Sequence, residues 1–199
     1  MVSQIKVNEI IKQSGSSITI GESGDTVSVP SGATLNVAGS TSGLPDNTPV
    51  FAAYLSNDSD QSVTDSTLTK IQFDAERIDT AGAFDTSNYR FTVPSGQAGK
   101  YLIVLQAKFS STSQNTLIGS FVHIYKNGST YHSTGYTGAG YISGSQYNIL
   151  GNQLNLATVI DLSVDDYIEG YGFVKVSSGT PKIQEGNDQA TWIEGFKLV

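Results

Sequence analysis

The stretch FDAERIDTAGAFDTSNYRFTVPSGQAGKY, residues 73–101, decides the fold, because large aromatic side chains recur in it between turn-forming residues. An aromatic side chain offers ~150–250 Å² for burial, which suits the space between two packed sheets. Further aromatic residues continue the series in later apolar runs. We predict that the side chains forming the core and the subunit contacts are Phe73, Phe84, Phe91, Tyr101, Phe109, Trp192 and Phe196.

Short apolar and β-branched runs continue this pattern through most of the chain. They cover residues 50–55, 69–73, 89–93, 101–109, 117–125, 153–162, 167–176 and 191–199. Asn127-Gly128 follows one of them and predicts a hairpin turn, since both residues tolerate positive φ. Because no amphipathic helical period accompanies them, the runs predict an all-β fold, a sandwich or a jelly roll.

The aromatic spacing resembles the signature of the C1q domain family, which runs Phe-x5-Asn/Asp-x4-aromatic-x6-Phe-x5-Gly-x-Tyr. The Gly-x-Tyr step stands at residues 99–101, two residues later than in the family, which places an insertion in the loop 94–98. The first four positions of the pattern are matched in spacing by Phe73, Asp79, Phe84 and Phe91.

Three further stretches are similar to the same family. Residues 162–168, LSVDDYI, resemble its Leu-x-x-Gly-Asp-x-Val step, with Asp165 where glycine is usual. Residues 192–198, WIEGFKL, resemble its closing strand, and residues 49–53, PVFAA, resemble its opening strand. The resemblance therefore covers residues 49–199, and it implies a C1q/TNF-like jelly-roll head that forms a homotrimer.

The chain before this head has a different pattern. Residues 1–16 include apolar side chains without a regular period, and we interpret them as a docking peptide. A frayed terminus is the alternative. Residues 40–48 form a linker in which proline discourages regular structure, so the head begins at residue 49.

Residues 17–39 alternate apolar side chains in very short stretches between Gly-rich turns. Such strands cannot enclose their own apolar residues, so we predict that three copies intertwine as a β stalk. A flexible linker is the alternative. Residues 24–37, GDTVSVPSGATLNV, are also similar to stalk segments of marine bacteriophage fibre and appendage proteins, which are typically trimers joined to a virion.

Charge and composition exclude several classes of partner. The formal net charge of −7 repels polyanions, so we expect no nucleic-acid partner. No apolar run approaches the ~20 residues that span a bilayer, so we expect no membrane insertion. The chain has no cysteine, and packing or association must stabilise it without disulfides. The start MVSQIK lacks the apolar core of a signal peptide, which favours synthesis in a host cytoplasm and assembly into a virion.

The stretch from residue 131 to residue 147 is the predicted binding region, because tyrosines alternate there with Gly, Ser and Thr. Tyrosine combines a rigid apolar face with a hydroxyl, which suits the recognition of sugars or proteins. The alternative is that these tyrosines pack on the sheet or line the subunit contacts. The candidate binding residues are Tyr131, His132, Tyr136, Tyr141 and Tyr147.

We expect no cofactor, and calcium is the one metal ion that the sequence suggests as a candidate. Asp58 and Asp60 lie in an oxygen-rich loop that suits calcium, but the twelve-residue calcium-loop pattern is absent and a solvated loop is the simpler interpretation. His123 would hold a metal only if three copies met on a threefold axis. There is no Gly-x-Ser-x-Gly elbow, so a serine hydrolase is not expected. Glycoside hydrolysis needs a pair of acids, and Asp165 and Asp166 are the candidates for such a pair.

Together these features predict a binding protein and not an enzyme, the trimeric head of a bacteriophage tail fibre or spike that attaches to the host surface. Its expected partners are two further copies of itself, other virion proteins through residues 1–16, and a host surface glycan or protein. A capsid decoration or head fibre with a structural role is the first alternative. A depolymerase of envelope polysaccharide is the second.

Overall fold

The computed structural model describes residues 10, 15, 19–20, 22–36, 48–56, 59–137, 151–186 and 190–198. The chain divides into two compact units, Met1–Leu44 and Pro45–Val199. The described part of the second unit is built of β-strands joined by turns and loops. The strands are β1 (Val50–Tyr54), β2 (Gln61–Ser62), β3 (Thr69–Lys70), β4 (Ala75–Asp79), β5 (Phe84–Asp85), β6 (Arg90–Thr92), β7 (Gly99–Ser111), β8 (Leu117–Lys126), β9 (Ser129–Thr137), β10 (Gly151–Leu162), β11 (Tyr167–Val176), β12 (Pro181–Gln184) and β13 (Trp192–Lys197).

The strands form two antiparallel sheets. The first sheet has the order β4-β1-β13-β7-β10, and β12 and β2 continue it beside the far end of β7. The second sheet has the order β5-β6-β11-β8-β9, with β3 also beside β11. From β7 onward the chain passes from the first sheet to the second and back twice, which is jelly-roll connectivity. The predicted all-β jelly roll is confirmed.

The core lies between the two sheets, because side chains alternate along each long strand. In β7 the buried side chains run from Tyr101 to Phe109 at every second position. Two glycines of β11 face them: a Cβ atom on Gly170 would lie 2.8 Å from the Phe73 ring, and one on Gly172 would lie 2.8 Å from the Phe109 ring. Glycine at these positions therefore lets the aromatic rings of the core approach the backbone of the second sheet.

Five of the predicted packing residues lie in this core: Phe73, Phe84, Phe91, Tyr101 and Phe109. Trp192 and Phe196 lie outside the core, and their predicted part in the subunit contacts stays a prediction. Both are half-buried in β13, where Ile193 is fully buried and Gly195 abuts the core ring of Phe51. Since neighbours along a strand point to opposite faces, Trp192 and Phe196 lie on the outer face of the first sheet.

The residues of the C1q-like pattern fill the core, and two of them also stabilise loops through hydrogen bonds. Asp79 accepts a hydrogen bond at 2.8 Å from the backbone N–H of Phe84 and thereby closes the loop between β4 and β5. Tyr101 donates from its hydroxyl to the carbonyl oxygen of Gln97 at 2.6 Å, inside the loop that carries the insertion. Burial raises the pKa of Tyr101 to about 12, so this hydroxyl remains a donor at neutral pH.

A tight turn at Asn127 and Gly128 connects β8 to β9. Asn127 and Gly128 have φ values of +50° and +76°, which confirms the predicted tight turn. The strand that follows, β9 (Ser129–Thr137), includes the first residues of the predicted binding region. A tight turn brings β9 directly beside β8, so backbone pairing overrides a composition rich in Gly, Ser and Thr.

In the first unit, the described residues 22–36 form two turns within the predicted turn clusters. Asp25 donates its backbone N–H to Glu22, and Ala33 donates to Pro30, each at 3.0 Å, with Gly24 and Gly32 at positive φ. No strand occurs within residues 22–36 of this single chain, so the intertwined stalk stays a prediction that depends on partner copies. The described apolar side chains here are 47–65% exposed: Ile20, Val27, Val29 and Leu35.

Candidate binding surfaces

The predicted binding region begins on the edge strand β9. Tyr131 is 47% exposed, and its hydroxyl donates to the carbonyl oxygen of Val159 at 3.3 Å, which joins β9 to the edge of β10. His132 is exposed and lies opposite Ile124. The backbone of Tyr136 pairs with Ser120, while its side chain, Tyr141 and Tyr147 lie outside the described residues. The structure therefore places Tyr131 and His132 on one strand and leaves the rest of this prediction open.

The outer face of the second sheet carries a continuous row of aromatic side chains, which we call the aromatic face. The rings of Tyr125 and Tyr171 stack with their centroids 4.1 Å apart. His123 lies 6.3 Å from Tyr125 and 6.4 Å from Phe121, and Phe121 meets Phe173 edge to face at 5.8 Å. All five side chains are half-buried, so each ring keeps part of its surface open to solvent.

Charged side chains border this face along β3, β6 and β11. Glu169 is buried and forms a 2.5 Å ion pair with Lys70. Arg90 lies opposite Glu169 in the strand pairing, and its guanidinium carbon sits 4.7 Å from the centre of the Tyr167 ring. Lys70 is therefore engaged with a carboxylate and Arg90 with a ring, whereas Lys175 is exposed on β11 beyond Phe173.

Two buried nitrogens in this region have no hydrogen-bond partner, Nδ1 of His123 and Nε of Arg90. Burial lowers the pKa of His123, so its imidazole is neutral at pH 7 and offers one donor and one acceptor. His123 lies among aromatic rings, and the described residues contain no group of three potential metal ligands. The arrangement suits a neutral hydrogen-bonding ligand better than a metal ion.

The outer face of the first sheet is the second open surface, which we call the apolar face. Strand pairing aligns its side chains in rows across β1, β13, β7 and β10. The first row is entirely apolar, the second contains one charged residue, and the third joins two aromatic residues to two amides. These rows are Val50–Phe196–Leu102–Val159, Ala52–Glu194–Val104–Ala157 and Tyr54–Trp192–Gln106–Asn155.

The apolar face is unusual for the outside of a folded unit, because Val159 is 51% exposed and its neighbours in the row are at most half-buried. Scattered apolar residues on a surface are ordinary, but contiguous rows of them mark interaction surfaces. Arg77 covers one corner, with its guanidinium carbon 4.6 Å from the centre of the Tyr54 ring. The apolar face has the composition of a subunit contact.

The calcium prediction falls on side chains with other partners. Asp60 accepts from the backbone N–H of Glu185 at 3.3 Å and lies 3.5 Å from the ammonium of Lys182. Asp58 lies outside the described residues. The described carboxylate of this pair thus contacts protein groups at the start of the loop after β12, and calcium binding there stays a prediction.

In the acid pair before β11, the side chain of Asp166 is fixed by hydrogen bonds and an ion pair. Asp166 accepts from Lys126 at 2.8 Å, from the Asn127 side chain at 2.7 Å and from the backbone N–H of Ser163 at 2.8 Å. These bonds lower the pKa of Asp166 to about 2. A glycosidase needs an acid whose pKa is raised, so Asp166 is unsuited to that role. Its neighbour Asp165 takes a positive φ of +67° where the C1q-like pattern has glycine.

We expect Asp166 to make stability depend on pH in acid. A carboxylate with a pKa of about 2 when folded and ~3.9 when unfolded stabilises the fold above about pH 4–5, and this contribution is lost as the pH falls through 2. In urea unfolding at pH 7, Asp166→Asn should lower the free energy of unfolding by about 1–2 kcal/mol. The difference from the wild-type chain should shrink toward pH 2. Asp165→Asn is the matched control, and a difference that stays constant with pH for Asp166→Asn would contradict the assignment.

Two residues of the apolar face, Trp192 and Phe196, were predicted as packing residues, whereas the aromatic face was not predicted and left only a partial signal in the sequence. Phe121, His123 and Tyr125 alternate with buried residues along β8, and Tyr171 and Phe173 do the same along β11. The alternation shows that each trio or pair shares a face. It does not show that β8 and β11 are neighbours, which requires the sheet order.

These strands and sheets define a C1q/TNF-like jelly-roll fold. Among solved structures, the chain is similar to the Eiger TNF of S. frugiperda, with a TM-score of 0.51 and 11% identity over 75% of this chain and 92% of that chain. The globular domain of zebrafish complement 1qA has a TM-score of 0.49 and 14% identity over 76% of this chain and 98% of that one. No protein-family model and no curated protein matches the sequence. At such identity the likeness concerns the fold alone.

Proposed function

We propose that this chain is the homotrimeric head of a bacteriophage tail fibre or spike, and that it attaches the virion to the host surface without catalysis. In this proposal residues 49–199 are the head, residues 40–48 the linker, residues 17–39 the stalk and residues 1–16 the docking peptide. The division of the chain into two compact units, Met1–Leu44 and Pro45–Val199, supports a separate head. The open apolar face is the observation that carries the proposal. It needs a partner, and further copies of the same chain are the partner present wherever the protein is made.

The composition of the apolar face favours self-association. Its rows combine Phe196, Trp192 and Leu102 with smaller apolar residues, whereas charge is limited to Glu194. Interface cores are depleted in charged residues and enriched in aromatic ones. A threefold ring buries this face of each copy against a different surface of the next, which closes the assembly at three copies.

The first unit supports the same assembly. Four described apolar side chains between residues 20 and 35 are largely exposed in the single chain, and winding three copies together would shelter them. The similarity of residues 24–37 to marine phage stalks favours a virion as the setting. Three heads on one stalk raise the avidity of weak contacts, so shallow surfaces suffice for attachment.

The whole chain, fused at its N-terminus to a fluorescent protein, tests attachment by flow cytometry on a panel of marine bacterial strains. We expect it to label a subset of strains and to slow the adsorption of phage that infect them. Antibody labelling of virions in electron micrographs should mark fibre or spike tips. Label spread over the capsid, with no strain bound, would overturn attachment in favour of a decoration protein.

A further inference from the structure

We propose that the aromatic face of the second sheet is a binding surface for a neutral glycan, whose sugar rings stack along Phe173, Phe121, His123, Tyr125 and Tyr171. The inference deepens the attachment function proposed above and takes its biological setting from it. It differs from the sequence prediction, which placed binding on the residues from Tyr131 to Tyr147.

The arrangement of the rings fits a chain of sugars. Three of them follow one another along β8 at every second residue, with neighbouring centroids 6.3 and 6.4 Å apart. Four residues of strand span about 13 Å. Sugar rings have faces of polarised C–H groups, which the negative face of an aromatic ring attracts. Neighbouring ring planes in the series Phe173–Phe121–His123–Tyr125 are inclined by 47–73°, and Tyr125 and Tyr171 cover one face of each other, so the row offers an oligosaccharide a mixture of ring faces and ring edges.

Phe121 is held flat by a glycine on the neighbouring strand. A Cβ atom at Gly135 would lie 2.0 Å from Cδ1 of Phe121 and 2.4 Å from Cγ, so the ring lies directly over the backbone of β9. A ring in this position turns its other side toward solvent. Any other residue at position 135 would lift the ring, and the flat part of the aromatic face would be lost.

Unused hydrogen-bonding groups accompany the rings. Nδ1 of His123 and Nε of Arg90 are buried without partners, although buried polar atoms are rarely left unpaired. His123 lies within the row, and Arg90 lies opposite Glu169, which in turn lies opposite Tyr125. Both nitrogens are closed to solvent, so the exposed parts of the rings, and not these two atoms, form the contact surface for a sugar.

Charge and size distinguish a glycan from the other possible occupants. Lys70 is paired with Glu169, Lys126 with Asp166, and Arg90 covers Tyr167, so these cations are engaged. Lys175 is exposed two residues beyond Phe173 on β11, so an acidic polymer would meet a cation at that end of the row and gain little along the rest. The row spans two adjacent strands, a footprint on the order of 150 Å². A stable protein contact needs about 800 Å² per partner. A short stretch of neutral glycan matches this size.

The two histidines of the chain allow a direct test, because His123 lies in the aromatic face and His132 lies on β9. The whole chain is first applied to a printed array of defined neutral and acidic oligosaccharides. The best neutral ligand is then titrated into chain labelled with ¹³C-histidine. We expect saturable shifts of the His123 imidazole signals and none of His132. Shifts of His132 alone, preferred binding of acidic sugars, or no bound neutral glycan would overturn the proposal.

Two variants of Tyr171 distinguish the contribution of its ring to glycan binding from that of its hydroxyl. Tyr171→Ser should weaken binding at least tenfold, whereas Tyr171→Phe should stay within about threefold because it keeps the ring. Tyr89→Ser, in the turn between β5 and β6, is the matched control and should bind as the wild-type chain does. Melting curves check that each variant is folded, and the histidine shifts test the site even if Tyr171→Ser is not.

Cell binding separates this inference from attachment itself. If Tyr171→Ser is folded and labels cells as well as the wild-type chain does, the aromatic face is not the receptor site and attachment stands. If the wild-type chain binds a neutral glycan through His123 but labels no cells and no fibre tips, the aromatic face stands and attachment falls.

Discussion

Phe91→Ala should lower the free energy of unfolding by about 3–5 kcal/mol, the usual cost of removing a buried phenylalanine ring. Phe91 is fully buried, stacks on Phe51 with ring centroids 4.2 Å apart and contacts Tyr101 at 5.7 Å. Its ring joins the first sheet to the second, so its loss leaves a cavity between the two sheets. Urea unfolding followed by tryptophan fluorescence measures the change.

Val164→Ala is the control for this substitution, because Val164 lies in the turn before β11 and is 38% exposed. It should change the free energy of unfolding by no more than about 0.5 kcal/mol. An equally small change for Phe91→Ala would mean that Phe91 is not a core residue, and the arrangement of the two sheets would then be wrong.

Leu102→Glu should convert a trimer into single chains. Leu102 lies in the all-apolar row of the apolar face, between Phe196 and Val159. A carboxylate there would be buried without a partner in each of three contacts, and an unpaired buried charge costs several kcal/mol. In sedimentation velocity, the wild-type chain should have three times the mass of one 21.1 kDa chain, and the variant should have the mass of one.

Val164→Glu introduces the same charge outside the apolar face and should leave the trimer intact. A circular dichroism spectrum equal to that of the wild-type chain shows that the Leu102→Glu chain is folded. A wild-type chain that sediments as a single folded copy would overturn self-association. A trimer that survives Leu102→Glu would move the contact to another surface.

Local chemistry explains why much of the head could be predicted. The aromatic spacing around Phe73, Phe84 and Phe91 reflects rings that fill one core, and Asp79 closes a loop that would otherwise leave a buried N–H without an acceptor. Asn127 and Gly128 adopt positive φ, so their turn follows from backbone sterics. The loop and the turn depend on residues that are close in sequence. The burial of the aromatic rings would be required in any arrangement of the two sheets.

Trp192 and Phe196 show where such prediction ends. The alternation of β13 separates their face from that of Ile193, but both faces of this strand carry apolar residues. Only the packing of the second sheet against one face decides which residues become core, and it selects Ile193 and Gly195. The aromatic face depends in the same way on β8 and β11 being neighbours, since Tyr125 and Tyr171 are far apart in the chain.

By itself, then, the sequence determined the class of fold, the buried aromatic series and the turn after β8, because spacing and backbone sterics are local properties. The tertiary structure decided which sides of the sheets face outward and which distant side chains meet on them. Register and sheet order are set by the packing of the whole unit, and a shift by one residue would turn every one of these side chains to the other face.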